Sequence, residues 1–268
     1  HDQKAIAGPL LKTNVCNLID GFVFISHWQM ENYLARFPIL REKCTILRNA
    51  IAPSFLNLFK NPDDIIANKS EPILAYTSVP FRGLELLFTI FPLIRERVPK
   101  AKLKIYSSMS VYQMGSNQEL KDFGEMYQKF REMEGVEYIG SVSQRELATA
   151  MKEVVILAYS NTFAETSCIS VMEAMAAGAQ IISSELGAMP ETVMPFGKLI
   201  PVDQSVDYVA KFVDLTISYL ERAKNDSEEV KVQLGNQVLL MNKSYSWELR
   251  ASEWTRWLET VTIKDKYR

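Results

Sequence analysis

The sequence has 268 residues, enough for one large or two modest domains. Apolar residues make up 47% and charged residues 23%, the balance of a soluble globular chain, and no apolar run approaches the ~20 residues of a membrane-spanning helix. The net charge of −2 excludes a global basic field for nucleic acid, and three scattered cysteines with two distant histidines exclude a disulfide scaffold or a CxxC zinc site.

In chain order, residues 1–19 are mixed and expected to be helical in part. Asp20-Gly-Phe-Val-Phe-Ile-Ser26 is a continuous apolar run, the pattern of a strand buried on both faces. Trp28 to Phe37 reads as a helix that stops before Pro38. Lys43-Cys-Thr-Ile-Leu-Arg48 is a second short strand. Residues 53–71, with Pro53, Asn61-Pro62 and Asp63-Asp64, read as a linker or domain boundary.

From Ile73 the chain alternates. Strands are expected at 73–78, 103–107, 136–140, 154–159, 180–184 and 198–202. Helices are expected at 84–98, 118–134, from Ser143 with its capping-box pattern, and around 170–177. The remainder from Ser205 is helical and carries Trp247, Trp254 and Trp257, which at helical spacing are expected to pack the last helix onto the body. Strands alternating with helices predict an α/β fold with a doubly wound parallel sheet.

The stretch from Phe163 to Gly178 concentrates the candidate chemistry. It follows one apolar strand and precedes another, so it forms the loop and helix of a βαβ unit, whose strand carboxyl ends face ligands. Glu165 falls in its loop. A carboxylate there accepts paired hydrogen bonds from vicinal hydroxyls, or is a solvated loop acid. Glu173 serves the same chemistry or closes a capping box with Ser170. Arg82, beside Gly83 in a strand-to-helix turn, suits a phosphate or diphosphate, or is a surface arginine. The sequence has no P-loop, no G-x-G-x-x-G after a strand and no G-x-S-x-G elbow, which argues against an NTPase, a dinucleotide oxidoreductase and an α/β-hydrolase.

These segments, taken together, resemble the back half of a retaining GT-B glycosyltransferase of group 1, or family 4. Leu47-Arg-Asn-Ala-Ile-Ala-Pro-Ser-Phe55 looks like the family's crossover, with Ala50 in place of a glycine. Tyr76-Thr-Ser-Val-Pro-Phe-Arg-Gly-Leu84 looks like its basic-glycine turn. Tyr138-Ile-Gly140 with Glu146-Leu147, Glu165 to Glu173 as an E-x7-E motif, and Ser246-Trp-Glu248 follow in the family's order. The implied layout is the end of an acceptor-side domain over 1–55, a Rossmann-like donor-binding domain over 70–240, and a closing helix over 241–268 that crosses back.

The resemblance implies transfer of a sugar from a nucleotide-diphosphate-sugar to an acceptor hydroxyl with retention, in glycan, polysaccharide or glycolipid synthesis. Arg82 and Gly83 would hold the diphosphate and Glu165 the donor sugar. The backbone of Thr166, Ser167, Cys168 and Ile169 would face sugar or phosphate, and Cys168, replacing a glycine, would narrow the pocket. Glu173 would hold the ribose, and Gly140 and Val142 would frame the base. His1 would correspond to an acceptor-side histidine near the sugar. No metal and no cofactor is implied, only the nucleotide-sugar co-substrate with a glycan, lipid-linked or other hydroxyl acceptor. The expected setting is cytoplasmic, or peripheral at the inner membrane face. A chain beginning at His1 is expected to lack the family's first ~150 to 200 residues, on usual domain sizes. A nucleotide-sugar epimerase and a non-catalytic donor-binding half stand as alternatives.

Overall fold

The computed structural model describes residues 7–203, 207–225 and 227–265. After a 3-10 turn at Gly8–Leu11 comes a short helix, α1 (Thr13–Asn17), and the apolar run after it forms strand β1 (Phe22–Phe24). Helix α2 (His27–Leu34) follows, started by Ser26, whose hydroxyl accepts the Gln29 amide at 3.0 Å. Strand β2 (Cys44–Ile46) then pairs in parallel with β1, Phe22 opposite Cys44. Cys16, Phe24, Met30 and Ile39 form the buried centre of this unit. The expected strand at 20–26 is thus shorter, and Phe22 and Val23 are half-buried rather than covered on both faces. A sheet of two strands with one small core has only one face to bury.

The stretch expected as a linker is folded. Helix α3 (Pro62–Ala67) starts at Asn61, whose side chain accepts the Asp64 amide at 3.0 Å, with Pro62 at the first helical position. Phe55 and Ile65 are fully buried and belong to the main core. Asn-Pro here is a helix start, not a chain break.

The main sheet has six parallel strands. In chain order come β3 (Ile73–Tyr76), α4 (Leu87–Arg97), β4 (Lys102–Ile105), α5 (Ser116–Glu132), β5 (Val136–Tyr138), α6 (Gln144–Met151), β6 (Ile156–Tyr159), α7 (Ile169–Ala176), β7 (Gln180–Ser184), α8 (Met189–Val193) and β8 (Gly197–Ile200). The spatial order is β5-β4-β3-β6-β7-β8. The chain therefore starts at the centre, builds outward to β5, returns, and builds the other way. The reversal lies between β3 and β6, where Leu74 pairs with Ile156 and Ala75 with Leu157. Doubly wound sheets bind ligands beyond the carboxyl ends of strands at such a reversal. The two central strands share the sequence Ile-Leu-Ala-Tyr and are buried throughout. The Lys69 ammonium donates to the carbonyls of Lys152, Val154 and Ala177, closing the ends of α6 and α7 at 2.6–3.1 Å.

Three helices end the chain: α9 (Tyr208–Asn225), α10 (Ser227–Ser244) and α11 (Trp247–Asp265). The last crosses back towards the small sheet, where a Cβ on Gly21 would meet the Trp257 ring at 2.8 Å. Of the three tryptophans expected to pack inward, only Trp257 is half-buried, while Trp247 and Trp254 are exposed. Among the described residues, no helix is long and apolar enough to cross a membrane.

Candidate active site

A cleft of about 270 Å³ opens at the carboxyl ends of β3, β4 and β5. The turn after β3 contributes Ser78 and Arg82, the segment after β4 contributes Tyr106 and Tyr112, and the segment after β5 contributes Gly140 and Val142. Helix α7 closes the cleft with Ser170 and Glu173. The fold thus brings together Arg82, Gly140, Val142 and Glu173, which lie far apart in sequence.

Arg82 is not a free surface arginine. Its Nη1 pairs with Glu165 Oε1 at 2.8 Å and its Nη2 donates to the Tyr112 hydroxyl at 3.0 Å. The guanidinium lies over the Phe163 ring at 4.7 Å and near Phe81 at 5.7 Å. Its Nε is buried with no partner. Gly83 does not line the cleft. Its φ of +100° and a Ser160 carbonyl only 1.9 Å from where a Cβ would sit make it the residue that lets this turn close on the 160 loop.

Glu165 is not a solvated loop acid either, being 4% exposed. The Tyr159 hydroxyl donates to the same Oε1 at 2.5 Å. No described residue bonds Oε2. Below, Ala188 donates its amide to the Glu165 carbonyl at 2.7 Å, and Gly187, at φ +61°, approaches so closely that a Cβ would fall 2.3 Å from that oxygen. Because β3 and β6 are neighbours, this ion pair spans the reversal of the sheet.

The capping-box reading of Glu173 is corrected. Cys168 is the N-cap of α7 and makes no side-chain cap bond. Ser170 lies inside the helix and its hydroxyl donates to the Thr77 carbonyl at 2.6 Å. Glu173 Oε1 accepts instead the Ala52 amide, from the crossover segment, at 3.2 Å. Burial pushes the Glu173 carboxyl up to about 7, with the Ala52 amide opposing.

The remaining predicted residues scatter around the loop. The Ser167 hydroxyl is buried without a partner, in a crevice beside Arg48 and Glu191. Cys168 packs into the core and does not narrow either cleft, and burial holds its thiol well above the usual range. Ile169 is partly exposed at the first turn of α7. His1 lies outside the described residues. Thr166 lines a second cleft of about 210 Å³, walled by α2 on one side and the 163–166 loop on the other. Phe163 belongs to it as well, so this ring is common to Arg82 and the second cleft.

The sequence reading passed over Tyr159 and Tyr112. An apolar strand ending in tyrosine at the ligand-facing edge was the available signal for the first. Glu191 was also passed over. Its carboxylate accepts the amides of His27 at 3.0 Å and Trp28 at 2.6 Å, with His27 Nδ1 at 3.3 Å.

The sequence pattern that defines "Glycosyl transferases group 1" matches residues 72–217, more than half of the chain. The chain belongs to that family. Among curated relatives, a phosphatidyl-myo-inositol mannosyltransferase of Mycobacterium tuberculosis is 29% identical over 185 residues, covering 68% of this chain and 44% of that protein. A subunit of the human phosphatidylinositol N-acetylglucosaminyltransferase is 20% identical over 263 residues, covering 98% of this chain and 50% of that one. The chain therefore spans about half the length of the curated relatives it matches. The fold resembles HepE of Anabaena in complex with UDP-glucose, with a TM-score of 0.69, 12% identity, and coverage of 92% of this chain and 66% of that one. It also resembles a sucrose-phosphate synthase of Thermosynechococcus elongatus, with a TM-score of 0.67, 16% identity, and coverage of 98% and 64%. The architecture is GT-B, and the six-stranded sheet carries the family match.

Proposed function

We propose that the cleft at the sheet reversal binds a nucleoside-diphosphate sugar and that the chain serves transfer of the sugar, with retention, to a hydroxyl of a phosphatidylinositol-type acceptor. One observation carries the donor half: a cation, Arg82, and a buried carboxylate, Glu173, sit in one polar cleft at the strand carboxyl ends. The guanidinium suits a diphosphate. The carboxylate suits the two ribose hydroxyls, which donate to it. Gly140 and Val142 then frame the base. The Glu165–Tyr159 pair orients Arg82, and Glu165 Oε2 is left for the donor sugar together with the amides at 166–169. The acceptor half is supported by the names of the curated relatives, bacterial and human, which share phosphatidylinositol.

In the reaction the bond from the anomeric carbon to the diphosphate oxygen breaks, and its electron pair leaves with the diphosphate. The acceptor oxygen forms the new bond on the same face. Its proton passes to the departing phosphate oxygen. Arg82 and the start of α7 stabilise the charge that develops on the diphosphate, the kind of interaction that is usually the largest catalytic term. No metal enters this scheme. A second reading, a donor-binding half that transfers nothing by itself, is supported by the family match falling on the six-stranded sheet.

Calorimetry with uridine, guanosine, adenosine and thymidine diphosphates tests the site. One of them is expected to bind, and Arg82→Ala to weaken it at least tenfold. Unchanged affinity in that variant rejects the assignment. Binding without sugar transfer from the matching nucleotide sugar to phosphatidylinositol selects the second reading.

A further inference from the structure

We infer that Lys69 and Gln237 are positioning residues for the cleft at the sheet reversal. They grip the carboxyl end of α7 from behind and so fix the depth at which Glu173 and the first turn of the helix stand in the cleft. The inference rests on the donor-site reading above and extends it to two residues that do not line the cleft.

Helix α7 has eight residues, too few to hold itself in place, and is buried from Val171 to Ala176. Its carboxyl end is already closed by its own backbone. Gly178 takes φ +67°, its amide donates to the Met175 carbonyl at 3.0 Å, and the Ala179 amide donates to the Ala174 carbonyl at 2.9 Å. That pair of bonds around a left-handed glycine is sufficient to end a helix. Two side chains from distant segments are nevertheless added. The Gln237 amide, from α10, donates to the carbonyls of Met175 at 2.9 Å and Ala179 at 3.0 Å. The Lys69 ammonium, from the segment before β3, donates to the Ala177 carbonyl at 3.1 Å. The Met175 carbonyl is therefore bonded twice, which holds the helix in place beyond what terminating it requires.

Both side chains are costly choices for mere filling. Gln237 is fully buried and its Oε1 has no partner, so a buried acceptor is left unsatisfied while both N–H groups reach carbonyls. Lys69 directs its other two N–H groups to the carbonyls of Lys152 at 3.0 Å and Val154 at 2.6 Å, three donors on three acceptors. An apolar side chain would fill this space without taking a charge out of water. Val154 leads into β6, the strand whose Tyr159 bonds Glu165. One ammonium thus fixes α7 against the strand that carries the other half of the site. Gly178 leaves room for it: a Cβ there would meet Ile65 at 2.7 Å and the Lys69 chain at 3.4 Å.

The path from the grip to the cleft is two hydrogen bonds long. Lys69 holds the Ala177 carbonyl, and the Ala177 amide donates to the Glu173 carbonyl at 3.0 Å. Eight helical residues make a rod of ~12 Å, so a hold on one end sets the other. At the front, Cys168 makes no side-chain cap bond, and the Ser170 hydroxyl on Thr77 ties the first turn. A slip of ~1 Å in such a support is enough to weaken a site far from the substitution.

Calorimetry of the full chain with uridine, guanosine, adenosine and thymidine diphosphates tests the grip, run well below each variant's melting temperature. Lys69→Met is expected to weaken the nucleotide that the wild type binds by about fivefold or more. Gln237→Met carries the same expectation and decides the matter should Lys69→Met not fold. Lys69→Arg, which keeps donors on the carbonyls, should rescue the affinity. Phe212→Leu, in the core on α9, should lower the melting temperature and leave the affinity unchanged, which separates positioning from general destabilisation. Wild-type affinity in both methionine variants overturns the inference and leaves the donor site standing. An equal loss in Phe212→Leu also overturns it. A wild type that binds none of the four nucleotides overturns the donor reading, and this inference with it.

Discussion

Burial strips water from the Glu173 carboxyl and returns one amide, from Ala52, so it titrates at about 7 instead of near 4.5. The folded value is raised. Its contribution to stability is therefore full below pH 4.5 and is lost as pH rises through about 7, where folding holds a proton that the unfolded chain has released. A ribose whose hydroxyls donate to the ionised carboxylate has the reverse preference. Nucleotide affinity is expected to rise about tenfold between pH 6 and pH 8, with proton release on binding, from one group titrating near 7. Calorimetry in buffers of different ionisation enthalpy measures both quantities, and Glu173→Gln should flatten the profile. A flat profile in the wild type would place the ribose elsewhere. At this scale the sequence was informative about residue types and silent about pairings. Arg82 and Glu173 announced themselves by type and by strand-end position. That Glu165 is consumed on Oε1 by Arg82 and Tyr159 depends on β3 lying beside β6, which no local pattern encodes.

Helix α2 is eight residues long, too short to persist alone, and its N-terminus is held from two directions. Ser26 caps it locally, while Glu191, 163 positions from Trp28 in sequence, caps it from α8. A carboxylate at a helix N-terminus meets both unsatisfied amides and the positive end of the dipole. Glu191→Ala is expected to cost about 1 kcal/mol, the usual worth of such a cap. Its signature should be local: faster amide hydrogen exchange at His27 and Trp28, with β3, β6 and β7 unaffected. Equal protection in wild type and variant would mean that Ser26 alone holds the helix. Elements of this kind show why strands were easier to read than helix starts. Continuous apolar runs such as Val154–Tyr159 need no partner to be recognised. Helix α3 was hidden because Asn61-Pro62 is equally a turn signal, and only the burial of Ile65 decides between the two. Ser170 misled for the converse reason: its spacing to Glu173 is that of a box, yet Thr77 takes its hydroxyl.

Two sheets with separate cores are joined by two crossings of the chain, the segment before Pro53 going out and α11 coming back. The alternation of strands and helices made the main sheet legible as a class. The order of its strands and the path of the return were not, because both depend on which faces meet after folding. One side chain spans both crossings. Arg250, buried, donates to the Asn49 carbonyl at 3.1 Å and to the Ser244 carbonyl at 2.5 Å, and pairs with Glu253 at 2.6 Å. Beside it the Ile51 amide donates to the Tyr245 carbonyl at 3.0 Å. Among the described residues the small unit has four buried apolar residues at its centre and two strands, less than an isolated sheet needs for stability. It therefore depends on this junction, on Trp257 against Gly21 and on the Glu191 cap. Arg250→Ala removes the link and strands two carbonyls and a carboxylate, at a cost of about 3 kcal/mol. Calorimetric unfolding of the wild type is expected to be one transition. In the variant it should split, a low-temperature step for residues 7–46 preceding the step of the six-stranded sheet. Tryptophan fluorescence assigns the first step through Trp28 and Trp257. A single transition, merely lowered, would show that the two cores remain coupled through the Glu191 contact, and the double variant with Glu191→Ala would then be the one to divide them.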